Sequence, residues 1–338
     1  MKPAGLQARS RPAIIARSLR EPTVSEIALH SLPNTQARAL AASGAPVFLF
    51  VNPVEYHGPH LSLDNDALIS RGLAADIHAR LAAVHPDWPY LTAGELGMGS
   101  GAVPGPGSRR TPYPRLRDQV VDACRSLATL GARRVILMTF HGDPMHNLAL
   151  QAGADWLAGQ GIPALVPMHL LIRELMGLTA DGGRLAPLLD AVPDAADRQA
   201  LAGSLQTDIH AGFGETSLTL HYAPETVSPD YRNVPPCPAW RSHPAVALLA
   251  NAARLAGVRD FAAEAAYAAM GLGWLALRPF PGYTGRPSLA RAEVGAILSG
   301  LIVDTFAQAA LDVFDRGAPA PRPALAWLET LTVGGRAY

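Results

Sequence analysis

Val47-Phe48-Leu49-Phe50-Val51-Asn52-Pro53-Val54-Glu55-Tyr56-His57-Gly58-Pro59-His60-Leu61-Ser62-Leu63-Asp64-Asn65-Asp66 is the stretch on which the fold turns. It opens as five unbroken apolar residues, the pattern of a strand buried on both faces. It then changes character abruptly, and Glu55, His57, His60 and Asp66 bring two carboxylates and two imidazoles close together. Gly58 and Pro59 force a turn that can fold these groups onto one point. In an open parallel sheet, ligands bind beyond the carboxyl ends of the strands, so the position suits a site. Carboxylate plus imidazole is the donor mix for Zn, Mn or Fe(II).

The alternation continues outward. A helix is expected over Ala67–Leu81, capped by Asp66 or Asn65, and Tyr90-Leu91-Thr92 reads as a second strand. Leu116–Leu130 has helical spacing with Gly131 as its C-terminal stop, and Val135-Ile136-Leu137-Met138 is the clearest strand in the chain. A helix from about Asn147 to Leu157 and a strand Ala164-Leu165-Val166 follow. The later part is more helical, with candidates at Pro244–Leu255, Phe261–Leu277 and Glu293–Phe306, and Ser217–His221 reads as a strand. Strands alternating with helices predict a single α/β domain with a central, mostly parallel sheet covered on both faces. The expected organisation is an N-terminal extension over 1–40, partly flexible, a catalytic domain over 41–312 and a C-terminal tail over 313–338. Gly and Pro, 31 and 30 of 338 residues, concentrate in loops such as Gly94–Pro114.

Composition excludes several classes. With 28 basic and 28 acidic residues there is no basic stripe for nucleic acid. No apolar run approaches the roughly 20 residues of a membrane span. Met1–Arg20 is basic but has no apolar core, so it does not read as a secretory signal. Cys124 and Cys237 are too few and isolated for a disulfide framework or thiolate cage, which suits the reducing cytoplasm. Charged residues are 17% of the chain against an average of about 25%, a lean surface that favours self-association.

Two further clusters bear on chemistry. The strand Val135–Met138 runs into Thr139-Phe140-His141-Gly142-Asp143, so His141 and Asp143 meet Glu55, His57 and Asp66 if the two strands are neighbours. A carboxylate such as Asp66 can bridge two cations, which in two-metal sites lie about 3.5–4 Å apart. The third cluster, Thr207–Ser217, sets Asp208, His210 and Glu215 around two glycines and suits a general acid/base beside the metals. Glu215 reads equally as a ligand, as a partner of a ligand or as a helix cap. His60 reads as a hydrogen-bonding group for a ligand or for the turn. Arg109 and Arg110 could meet an anionic substrate group, with a solvated loop the slightly stronger reading. His30, His78, His85, His169 and His243 read as surface residues. His146 reads as a helix-start residue.

Together these motifs resemble those of the creatininase (creatinine amidohydrolase) family. The family run Glu-x-His-Gly-x-His-Leu-Pro-Leu-x-x-Asp stands at Glu55–Asp66 with Ser62 in place of Pro. Asn-Gly-His-Gly-Gly-Asn is reduced to Thr139–Asp143 with Asn147 displaced, and Asp-x-His-Ala-Gly-x-x-Glu-Thr-Ser is intact at Asp208–Ser217. A weaker match is Gly285–Ala290. The resemblance implies a three-layer α/β/α fold, two divalent cations per subunit (Zn, Mn or Fe) and a homo-oligomer, commonly building toward hexamers. It also implies metal ligation by Glu55, His57, Asp66, His141 and Asp143, Asp66 bridging. Catalysis would fall to His210, as acid to the leaving nitrogen, with Glu215 close to the metals. His60, Asp208 and Arg109 would face a small-molecule substrate. The implied activity is hydrolysis of a C–N bond in a cyclic or formyl amide, with lactone or C–C ring opening, or metal binding without catalysis, as alternatives. The family's tryptophan before the third motif is Thr207 and its Phe-Pro-Gly-Thr segment is replaced at Val103–Arg110, which weighs against creatinine as substrate.

Overall fold

Alternation within the first apolar run decides the layers. Val47, Leu49 and Val51 join one buried cluster while Phe48 and Phe50 join another, because successive strand side chains point to opposite faces. The computed structural model describes residues 25–177 and 186–338. Its strands are β1 (Ile27–Ala28), β2 (Val47–Val51), β3 (Leu91–Leu96), β4 (Val135–Met138) and β5 (Ala164–Leu165). They form one parallel sheet in the order β1-β3-β2-β4-β5. The N-terminal half of the chain also supplies helices α1 (Asn34–Ala41), α2 (Asn65–Val84), α3 (Tyr113–Leu130) and α4 (Pro144–Gly159). Beyond β5 come α5 (Met168–Met176), α6 (Ala186–Asp190), α7 (Ala195–Ala202) and α8 (Phe213–Tyr222). The last are α9 (Pro244–Leu255), α10 (Arg259–Leu275), α11 (Ala292–Arg316) and α12 (Trp327–Leu331).

α1, α3 and α4 cover the face carrying Val47, Leu49, Leu91 and Val135. α2, α8 and α11 cover the face carrying Phe48, Phe50, Ile136 and Met138. The result is the three-layer α/β/α architecture that the alternation implies. Burying a leucine- or phenylalanine-sized side chain is worth about 1.5–3 kcal/mol, so these two fully buried clusters dominate the fold's stability. Gly131 ends α3 in the left-handed conformation, φ 107°, as its sequence position suggests.

The structure corrects three sequence expectations. Ser217–His221 is part of helix α8, not a strand. Its β-branched residues mislead, but the Asp208 carboxylate caps the first turn, accepting from the N–H groups of Phe213 and Gly214 at 2.9 and 2.7 Å. Neither Asn65 nor Asp66 caps α2: the helix begins at Asn65 after Asp64, with no side-chain cap, because both side chains are drawn into the site. His78 and His169 are buried, not on the surface. The longest helix, α11, spans 25 residues with mean hydropathy 1.6 over its most apolar window, enough to cross a membrane by length and composition, although polar residues such as Ser299 and Asp304 interrupt its apolar runs. Here it packs against α2 and α8. The leader reading of Met1–Arg20 lies outside the described residues, as does most of the expected N-terminal extension.

Candidate metal centre

Strand pairing assembles the centre. β2 and β4 are neighbours with Phe50 opposite Met138, so the segments leaving their carboxyl ends emerge side by side. Asn52, first beyond β2, ties them together: its Oδ1 accepts from the Thr139 hydroxyl and the Phe140 N–H, both at 3.2 Å. Gly58 makes the turn with φ +66°, a conformation an L side chain resists, and brings His57 back over Glu55. α8, packed beside α2 on one face of the sheet, delivers Glu215.

Three histidines share one orientation. His57 donates from Nδ1 to the carbonyl of Glu55 at 3.0 Å. His141 donates from Nε2 to the carbonyl of Ser100 and His210 from Nε2 to the carbonyl of Tyr56, each at 3.0 Å. A carbonyl can only accept, so each of these bonds fixes a proton on the outer nitrogen and turns the inner nitrogen on the carboxylates, where it carries a second proton or faces a cation. Nε2 of His57 then lies 3.1 Å from Glu215 Oε1 and 3.2 Å from Asp66 Oδ1. Nδ1 of His141 lies 3.0 Å from Glu55 Oε1 and 3.6 Å from Asp66 Oδ2, and Nδ1 of His210 lies 3.8 Å from Glu55 Oε1. The rings of His57 and His210 stack at 4.4 Å between centroids.

The carboxylates are held as firmly. Glu55 Oε2 accepts from the Val103 N–H at 2.7 Å. Glu215 accepts from the Asn65 amide at 2.7 Å and the Ala211 N–H at 2.6 Å. Ala211 has φ 46°, the left-handed region uncommon for a residue with a Cβ, so backbone strain is held beside His210. Glu55 Oε1 and Asp66 Oδ2 are buried facing His141 Nδ1, and against a neutral imidazole neither oxygen has a donor. Leaving two buried anionic oxygens unmatched is costly, and a divalent cation is the group that would satisfy them. The donors fall into three sets compatible with an ion: Glu55–Asp66–His141, His57–Asp66–Glu215 and Glu55–His57–His210. Asp66 belongs to the first two.

Charge coupling follows from this crowding. Burial opposes ionisation of Glu55, but His141, His210 and His57 hold its carboxyl well below the usual range. Burial also works against His141, yet the Glu55 carboxylate raises it to about 10. Burial lifts Asp66 to about 6. His57 is raised by Asp66 and Glu215 in spite of its burial, and His210 is lowered by burial and by the neighbouring His57 charge. The protons in this cluster do the neutralising work that cations do when metal binds.

The other sequence candidates are elsewhere in role. Asp143 is in none of the three donor sets among the described residues. Its carboxylate caps α4, accepting from the His146 N–H at 2.8 Å, and takes the Tyr338 hydroxyl. Shorter than the family's Glu would be, it turns to the helix. Asn147, displaced from the motif, braces the same loop by donating to the carbonyls of His141 and Asp143 at 2.8 and 2.9 Å. His60 bonds the Thr216 hydroxyl at 3.0 Å and so fastens the turn to α8; burial lowers it to about 4. Asp208 lines the cavity beside the centre with its carboxylate committed to capping α8, and Gly212 lets it approach, since a Cβ there would lie 1.6 Å from Asp208 Oδ1. Arg109 and Arg110 are exposed and line no part of that cavity; Arg110 lies over the Tyr338 ring. The chain-specific supports that the sequence reading missed are Asn65, the Ser100 and Tyr56 carbonyls and the Val103 N–H.

Comparison with known proteins identifies the family and the fold. The family model for creatininase, creatinine amidohydrolase, matches residues 30–310. A mycofactocin precursor peptide peptidase from Mycobacterium ulcerans (strain Agy99) is 27% identical over 209 residues, covering 60% of this chain and 68% of that protein. A creatinine amidohydrolase from Pseudomonas putida is 30% identical over 197 residues, covering 56% of this chain and 69% of that protein. Among solved structures, one described as "Creatininase Mn" superposes with a TM-score of 0.53 at 21% identity, covering 86% of this chain and 99% of that one. A crystal structure of creatinine amidohydrolase gives 0.53 at 22% identity, covering 87% and 99%.

Proposed function

The chain belongs to the creatininase family, and from that membership we propose that it is a metal-dependent amidohydrolase cleaving a C–N bond of a small amide. The observation that carries this reading is the shared orientation of His57, His141 and His210, each giving one N–H to a backbone carbonyl and turning its other nitrogen on a buried carboxylate. Such outward bonds fix the tautomer and aim of metal-ligating histidines. Glu55, Asp66 and His141 would hold one cation and His57, Asp66 and Glu215 a second, with Asp66 common to both. Nitrogen and oxygen donors without thiolate suit Zn, Mn or Fe(II). When bound, the cations supply Lewis acidity and a nucleophile at neutral pH.

The chain's own residues do the rest. Burial lowers the pKa of His210 and so favours its neutral ring, and its Nδ1 is open to accept a proton and return it to the departing nitrogen. Val103 N–H and Asn65 keep Glu55 and Glu215 from swinging out of the centre. Creatinine is disfavoured as substrate by the Thr207 and Val103–Arg110 departures. A homo-oligomer is supported by exposed Leu248, Leu255 and Val258 around the α9–α10 connection, and a cytoplasmic setting by the free Cys124 and Cys237.

Elemental analysis combined with a panel of cyclic amides, formamides, short peptides and lactones tests the reading. Amide turnover that disappears on chelation and returns with Zn or Mn is the expected result. Unchanged turnover in fully demetallated protein would sink it, and turnover of lactones alone would reassign the bond that is cleaved.

A further inference from the structure

The shape of the cavity says what kind of amide the centre receives. A cavity of about 120 Å³ opens on Glu55, Asp66, His141, His210 and Glu215 and runs between α5, α8 and α11. Away from the cluster its wall is mostly apolar, with Glu174, Asp208 and Tyr267 as the polar side chains that also line it. Phe140, Leu171, Leu175, Ile209, Leu298 and Leu301 all line it, and all are only half-buried, so apolar surface remains open to whatever enters. Among the described residues no lysine or arginine lines it. Arg109 and Arg110, the cations the sequence offers for an anionic group, are exposed outside it.

We propose that this cavity takes a neutral amide bearing an aliphatic or aromatic substituent, the apolar wall holding the substituent and the Glu55–His141 end receiving the amide. The proposal rests on the amidohydrolase reading for its reacting group and on the wall alone for its substituent. A carboxylate or phosphate seated among these leucines would lose water without meeting a cation. A small polar ring would leave the wall wet and gain nothing from it. An alkyl chain gains about fourfold in affinity for each methylene it buries. Leu171 and Leu175 on α5 and Leu298 and Leu301 on α11 all line the cavity, so these two helices bound the substituent admitted.

Ligand-detected NMR with acetamide, hexanamide, phenylacetamide and succinamate, on metal-loaded and on chelated protein, tests this. Hexanamide and phenylacetamide should bind at least about thirtyfold tighter than acetamide in both forms, and succinamate no tighter than acetamide. Leu301→Arg and, separately, Leu171→Asp should each cost hexanamide about tenfold or more while metal content stays at the wild-type value, which separates a changed wall from a lost fold. Equal binding of acetamide and hexanamide, binding of neither, or tightest binding of succinamate overturns the proposal. The alkyl preference without hydrolysis of any amide by the metal-loaded protein would remove the amidohydrolase reading and leave the cavity assignment standing. Hydrolysis indifferent to chain length would do the reverse.

Discussion

Nε2 of His57 lies 3.2 Å from Oδ1 of Asp66, and the proton on Nδ1 is already committed on the other side to the carbonyl of Glu55. A bare nitrogen against a carboxylate oxygen is a repulsive pair unless a proton or a cation joins them. Asp66 repeats the relation with His141 through its second oxygen, 3.6 Å from Nδ1. One side chain therefore stands between two donor sets. Asp66→Asn should abolish tight binding of both cations, whereas Glu215→Gln should leave one, so elemental analysis after dialysis is expected to order the proteins wild type, Glu215→Gln, Asp66→Asn. Equal metal content in the two variants would show that Asp66 is not shared.

His210 stands close to Glu55 and His57 but farther from the unmatched carboxylate oxygen than His141 does, 3.8 Å against 3.0 Å. His141→Ala should lose metal and rate together. His210→Ala should keep metal and lose rate by about 10²–10⁴-fold, the usual worth of a positioned acid/base. Metal content falling in parallel with rate in His210→Ala would make this residue a ligand instead.

Asp143 tests the one ligand assignment by resemblance that the geometry does not support. Its carboxylate is bonded to the His146 N–H and the Tyr338 hydroxyl. Asp143→Ala should cost about 1 kcal/mol of stability through loss of the helix cap. Its metal stoichiometry should equal that of the wild type. Loss of one equivalent of metal, read by elemental analysis, would restore Asp143 to the coordination set.

What could be read from the chain beforehand follows the physics of each feature. The apolar runs at Val47–Val51 and Val135–Met138 announce buried strands because burial on two faces demands apolar residues throughout. The polar residues just beyond them announce a site because packing has no use for them there. α8 was illegible because Thr216, Ser217 and Thr219 have strand-like propensity, while the capping of Phe213 and Gly214 by Asp208 depends on a loop conformation. Ser100, Val103 and Tyr56 support the centre through backbone groups, and every residue type has those. The diversion of Asn65 and Asp66 from capping to the centre required knowing that α8 lies opposite α2.

His169 gives the fold a pH signature away from the centre. It is fully buried, its Nδ1 accepts from the Ala324 N–H at 3.2 Å, and burial, with the charge of Arg173, lowers its pKa from 6.5 to about 4. The unfolded chain therefore binds a proton at a pH where the folded chain refuses it. The contribution to stability is full above about pH 6.5 and is lost as pH falls toward 4. At 1.36 kcal/mol per pKa unit, the loss between about pH 7.5 and 4.5 is about 3 kcal/mol. Urea unfolding of chelated wild type and chelated His169→Gln at these two pH values isolates the effect, since metal loss is then common to both. Wild type should lose about 3 kcal/mol more than the variant on acidification. Parallel losses in the two proteins would mean that His169 is protonated in the fold and that Ala324 is held by some other contact.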